Sequence, residues 1–151
     1  MPTFPARLVV PERVLVEEDV QAVILRDEVG DVTFMPGHMR LIGALVPGAV
    51  RFQREDGTEE HAAVHGGFVQ VDGEHVQVLS PVAERAEDID VDRAQRALEA
   101  AEQRIADLGG SATPGGEEGA DDRELAQAEA ARRRAEVRLE VARARPSEPG
   151  A

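Results

Sequence analysis

Val69-Gln70-Val71-Asp72-Gly73-Glu74-His75-Val76-Gln77-Val78 alternates apolar and polar residues on both sides of the turn dipeptide Asp72-Gly73. Strict alternation puts every second side chain on one face of a strand, and Asp-Gly is a strong hairpin signal. Upstream, Val50-Arg51-Phe52-Gln53 leads into Asp56-Gly57, with Thr58 to Val64 as the return strand, a second expected hairpin. Further strands fit Arg7–Val10, Arg13–Glu17, Val20–Arg26, Val32–Met35 and Gly43–Leu45. Many short strands closed by Gly, Pro and Asp turns indicate an antiparallel sandwich or barrel.

Downstream of Pro81 the composition changes to Ala, Glu, Arg and Leu. Ala94, Leu98, Ala101, Ile105 and Leu108 recur at spacings of three and four, one narrow seam of a helix. Asp88 or Asp90 can cap it and Gly109-Gly110 ends it. Ser111 to Ala120 reads as a mobile linker. A second helix is expected from about Asp122 to Ala144, with the seam Leu125, Ala128, Ala131, Ala135, Leu139 and Ala142, stopped by Pro146. The expected architecture is β + α: a sandwich over residues 1–84, then an antiparallel two-helix hairpin over 85–145 with a flexible loop at 109–121 and a disordered tail at 146–151. A seam built mostly of Ala buries little apolar area, so the hairpin is read as an element that docks and undocks, the alternative being an ordinary static hairpin.

Formal charge is −13, from 30 acidic and 17 basic residues, and every basic residue is Arg. That balance argues against a nucleic-acid binder and against docking on anionic lipid. The absence of cysteine removes disulfides and thiolate metal sites. The first residues lack the basic start and apolar run of a signal peptide, and no stretch approaches about 20 apolar residues. Membrane association is therefore expected only through another protein.

No catalytic constellation emerges. A phosphate loop ending in Gly-Lys-Ser/Thr is missing, and Ser80, Ser111 and Ser147 lie outside any nucleophile-elbow pattern. His61 and His65 share a strand face but lack a suitably spaced acidic partner, so no metal site is expected. His61, His65 and His75 are read as surface strand and turn positions. The sequence fits a binding protein better than an enzyme.

Four patterns, in order, resemble the epsilon subunits of bacterial F-type ATP synthases. They are Gly30-Asp31 with Phe34-Met35-Pro36-Gly37-His38, then Leu45-Val46-Pro47-Gly48, then Gly66-Gly67-Phe68-Val69-Gln70-Val71, and last Ala83-Glu84-Arg85-Ala86-Glu87-Asp88-Ile89-Asp90. Two departures occur: Met39-Arg40-Leu41 replaces the usual Ala-Pro-Leu, and Thr33 stands where Gly is common. The resemblance implies a non-catalytic rotor subunit that couples c-ring rotation to the catalytic head. Its partners would be the gamma subunit, the c-ring and the alpha/beta catalytic head, at the cytoplasmic face of the bacterial plasma membrane, with the proton as coupling ion. Asp31 and His38 occupy the motif positions nearest the ring.

Ile89-Asp90-Val91-Asp92-Arg93-Ala94 resembles the motif through which some members bind ATP. It implies a regulatory ATP held by Asp90 and Arg93, completed by Arg132 or Arg134; no cofactor is required. The plain alternative is an N-cap at Asp90 beside an ordinary surface pair with Arg93. Arg132, Arg133, Arg134 and Arg138 on the second helix imply an inhibitory contact to acidic segments of the catalytic subunits. The competing reading is a helix surface paired to Glu129, Glu136 and Glu140. An unrelated sandwich adaptor with a helical clamp is the third class.

Overall fold

The structure, a computed structural model, describes residues 2–110 and 118–144. Its ten strands are β1 (Phe4–Val10), β2 (Arg13–Val20), β3 (Ala22–Arg26), β4 (Asp31–Phe34), β5 (Leu41–Leu45), β6 (Gly48–Gln53), β7 (Glu59–Val64), β8 (Gly67–Val71), β9 (Val76–Leu79) and β10 (Ala83–Arg85). A 3-10 turn (Ala86–Asp88) leads into helices α1 (Val91–Gly110) and α2 (Glu118–Arg143). The strands form two five-stranded sheets, ordered β2-β1-β9-β8-β5 and β10-β7-β6-β3-β4. Both expected hairpins are present, with Val71 opposite Val76 across β8–β9 and Gln53 opposite Glu59 across β6–β7. One pairing departs from the antiparallel expectation: β1 runs parallel to β9, Leu8 opposite Val78.

Alternation explains the layers. Leu8, Val23, Leu25, Phe34, Phe52, Val69 and Val78 point between the sheets and form one buried core. The turns are closed by their own side chains. Asp72 Oδ1 accepts the backbone N–H of Glu74 at 2.9 Å and of His75 at 2.7 Å, beside Gly73 at φ +89°. Those two bonds hold the Asp72 carboxyl below its ordinary value. Gly67 is a second obligatory position: φ is +123°, and a Cβ there would meet the Leu79 carbonyl at 2.0 Å. That close approach lets β8 turn in beside β9.

The outer faces of the two sheets differ. On the first sheet Ile42, Phe68 and Leu79 are exposed. On the second, α2 covers the face, and Val137 and Val141 pack with Ala63, Ala86 and Ile89 in a second cluster joined by Ala49 and Ala142. Of the expected seam, Ala128, Ala135 and Leu139 are buried, whereas Ala142 packs against the sandwich cluster. Val137 and Val141, four residues apart, add a second apolar face that the sequence reading did not assign. The hairpin is therefore held to the sandwich as well as to itself.

Boundaries moved modestly. Strand β1 starts three residues before its expected position, at Phe4, and Gln21 separates β2 from β3 where one strand was expected from Val20. Gly109 and Gly110 belong to α1, and α2 starts at Glu118, so both helices reach into the expected loop. Residues 111–117 and the tail at 146–151 lie outside the described residues. Introducing Gly67→Ala is expected to lower stability by about 2 kcal/mol or more, through strain plus overlap with the Leu79 carbonyl. At Gly57, where φ is +87° and nothing lies within 4 Å, the same change should cost about 1 kcal/mol. Urea unfolding of the two variants checks the difference.

Candidate functional site

The segment leaving the sandwich builds a cleft. Strand β10 pairs with β7, Arg85 opposite Ala62, which fixes Glu84 on the face that α2 covers. The chain then makes its 3-10 turn and enters α1, where Asp90 is the N-cap: its Oδ1 accepts the Arg93 N–H at 3.0 Å. The side chain three residues past the cap thus sits beside the cap itself. Across from it, Arg138 of α2 donates Nε–H to Glu84 Oε1 at 2.6 Å. Glu84, Asp88, Asp90, Arg93, Ala94, Ala97 and Arg138 line a cleft of about 300 Å³.

Electrostatics in the cleft are mixed, and Glu84 is their centre. Its carboxyl is held below the ordinary 4.5, first by the hydrogen bond from His65 and then by Arg138, against the opposing effect of burial. His65 Nε2 lies 3.4 Å from the same oxygen. The expectation that His61, His65 and His75 are all surface residues is corrected here. His61 is buried and bonds Glu59 through Nε2 at 2.9 Å, the His65 side chain is 3% exposed, and only His75 stays exposed. Both buried histidines lie on the face of β7 that receives α2, a covering that the strand pattern alone does not reveal.

The other singled-out residues are distributed. Arg138 belongs to the cleft, whereas Arg134 lies one turn before it and is exposed. Arg132 pairs with Glu136 at 3.7 Å, a surface pair of small energetic weight. Arg133 reaches the Pro47 carbonyl at 3.4 Å. Asp31 and His38 flank opposite ends of β4. Asp31 accepts Arg26 Nε–H at 3.2 Å, and Arg26 also reaches Glu140 of α2 at 3.7 Å. His38 Nδ1 donates to the Met39 carbonyl at 2.8 Å, and its ring meets Phe34 edge-on at 4.9 Å. Around it Met35, Met39 and Leu41 are exposed. No group of three potential metal ligands exists among the described residues, and among them no helix is long and apolar enough to cross a membrane.

Two family profiles divide the chain where the structure does. The ATP synthase delta/epsilon chain beta-sandwich domain matches residues 3–86, and the long alpha-helix domain of that chain matches residues 87–143. The chain belongs to the ATP synthase delta/epsilon family. Two curated relatives align over nearly the whole chain and a third over two thirds of it. The ATP synthase epsilon chain of Bacillus velezensis is 37% identical over 142 residues, 94% of this chain and 98% of the relative. That of Shouchella clausii is 36% identical over 95% of this chain and 97% of its own length. The Carboxydothermus hydrogenoformans epsilon chain reaches 46% over 99 residues, 66% of this chain and 73% of its own. Among solved structures, a chain of the Euglena gracilis mitochondrial ATP synthase (OSCP/F1/c-ring) superposes with a TM-score of 0.73. Its identity is 24%, over 94% of this chain and 82% of that one, a likeness of fold.

Family membership makes this an epsilon-type, non-catalytic subunit of ATP synthase. Replacing Glu84→Gln removes a charge-assisted hydrogen bond worth about 1–2 kcal/mol. Amides around Val137–Val141 should then exchange with deuterium roughly tenfold faster, without global unfolding. In the parent chain the Glu84 contribution is complete above pH 4.5 and is lost as pH falls through its lowered value.

Proposed function

We propose that the chain couples rotation through its sandwich and restrains ATP hydrolysis through its hairpin. The observation that carries this reading is the division of the two outer sheet faces. One is uncovered and apolar at Ile42, Phe68 and Leu79. The other is occupied by a hairpin that docks against Ala63 through the small side chains Val137 and Val141, with the ion pairs Arg138–Glu84 and Arg26–Glu140 beside them. The uncovered face is the proposed seat on the gamma subunit. The loop carrying His38, with Met35 and Met39 exposed, is the proposed contact to the c-ring, together with Asp31 at the other end of β4. The subunit would act at the cytoplasmic face of the bacterial plasma membrane, peripheral to the proton-conducting ring. Once the hairpin leaves the sandwich, Arg132, Arg133, Arg134 and Arg138 become available to acidic segments of the catalytic subunits, and hydrolysis slows.

A regulatory ATP fits the same device. Arg93 and Arg138 converge on the cleft with Asp90 at its rim, and Arg134 is one turn away on the same helix. Phosphate held by both helices would tie the hairpin down. The cleft favours Arg138 over Arg132 as the second-helix contribution.

Hydrolysis by the reconstituted catalytic head tests the first reading, with the full chain and with a version ending after Ala86. The full chain is expected to bind and inhibit, and the shortened one to bind without inhibiting. Binding without inhibition by both removes the brake, and binding by neither removes the coupling role. Calorimetric titration with ATP tests the second: Arg93→Ala and Arg138→Gln should each weaken binding about tenfold or more, since each deletes a charge-assisted contact. Equal affinity in the variants would overturn it.

A further inference from the structure

Glu84 Oε1 faces two basic groups at once. Arg138 donates from α2 at 2.6 Å, and His65 approaches from the end of β7 at 3.4 Å. His65 is almost completely enclosed, and its Nδ1 is buried without a hydrogen-bond partner among the described residues. The charged side chains that line the cleft at this point are Glu84 of β10, Asp88 of the 3-10 turn, Asp90 at the start of α1 with Arg93, and Arg138 of α2; Arg85 of β10 turns instead to Glu60 and Glu87. On the same face of β7, His61 is engaged through Nε2 with Glu59, and its Nδ1 is likewise buried without a partner among the described residues.

We propose that His65 is a proton-sensitive element of the hairpin's attachment: neutral His65 shares Glu84 with Arg138, and protonated His65 draws that carboxylate away from Arg138 and favours release. The sign follows from what moves. The hairpin carries away Asp90, Arg93 and Arg138, a set with more positive than negative charge, and leaves Glu84 and Asp88 behind. A positive charge at His65 therefore meets less opposing positive charge when the hairpin is away. Linkage then requires that falling pH weaken docking. Imidazole is the side chain that changes charge between pH 5 and 8, and Glu84, with its carboxyl held low, stays ionised across that window.

Docking can be followed by energy transfer in the nucleotide-free full chain, with labels on Val29→Cys and Ala144→Cys; no native cysteine interferes. The docked-to-released ratio is expected to fall roughly threefold to tenfold between pH 7.5 and 5.5, within the tenfold per pH unit that one proton allows. In His65→Gln the ratio should stay flat. Where that variant is released at every pH, His65→Ser replaces it, with the same flat profile expected. A step of unchanged size in either variant, or no step in the parent chain, overturns the proposal. The proposal rests on reading the hairpin as releasable. Inhibition of the reconstituted head is scored separately, and ATP is left out, so failure here is distinguishable from failure of the brake or of nucleotide binding.

Discussion

The contact between α2 and the outer face of β7 is made by few and small side chains, and everything else about the hairpin depends on it. Val137 and Val141 meet Ala63, Ala86 and Ile89, where an ordinary core would place Leu or Phe. Burying a Val contributes about 1.5–3 kcal/mol, and an Ala less. Against that stands the entropy of fixing two helices on a surface. The remaining attachment is polar: Arg138 to Glu84 at 2.6 Å is its shortest contact, with longer ones from Arg26 to Glu140 and from Arg133 to the Pro47 carbonyl. An attachment near balance can be shifted by a ligand, a proton or a partner surface, because each need supply only a few kcal/mol.

The sandwich is built on the opposite principle. Its core includes Leu8, Leu25, Phe34 and Phe52, all close to fully buried, with alternation strict enough to prevent a register slip. Gly67 and the Asp72 turn fix where β8 and β9 begin. A rigid body of this kind can present Ile42, Phe68 and Leu79 on one side and the His38 loop at the end of β4 without either surface depending on the hairpin.

Much of this was legible in the sequence. Val69-Gln70-Val71 and its mate across Asp72-Gly73 announced their pairing because a period of two and a turn dipeptide are local properties. The α1 seam and the Asp90 cap were readable for the same reason. What could not be read were contacts made by the second layer. His61 and His65 looked like surface residues because nothing in β7 reveals that α2 will cover it. Arg138 looked like one more basic residue in a row until Glu84, 54 positions earlier, was placed opposite it. Val137 and Val141 carried the available signal: a valine pair at i, i+4 away from the main seam predicts a second partner for the helix.

The parallel pairing of β1 with β9 gives the sandwich a mechanical property. Strand β1 lies inside its sheet, bonded to β2 on one side and β9 on the other, and β9 is the strand from which the chain departs toward the helices. Strands joined in parallel and pulled along their length share the load over all their hydrogen bonds together, where a hairpin pulled from its open ends unzips bond by bond. The β1–β9 pairing therefore resists a pull along its strands better than the β8–β9 hairpin resists one at its open ends.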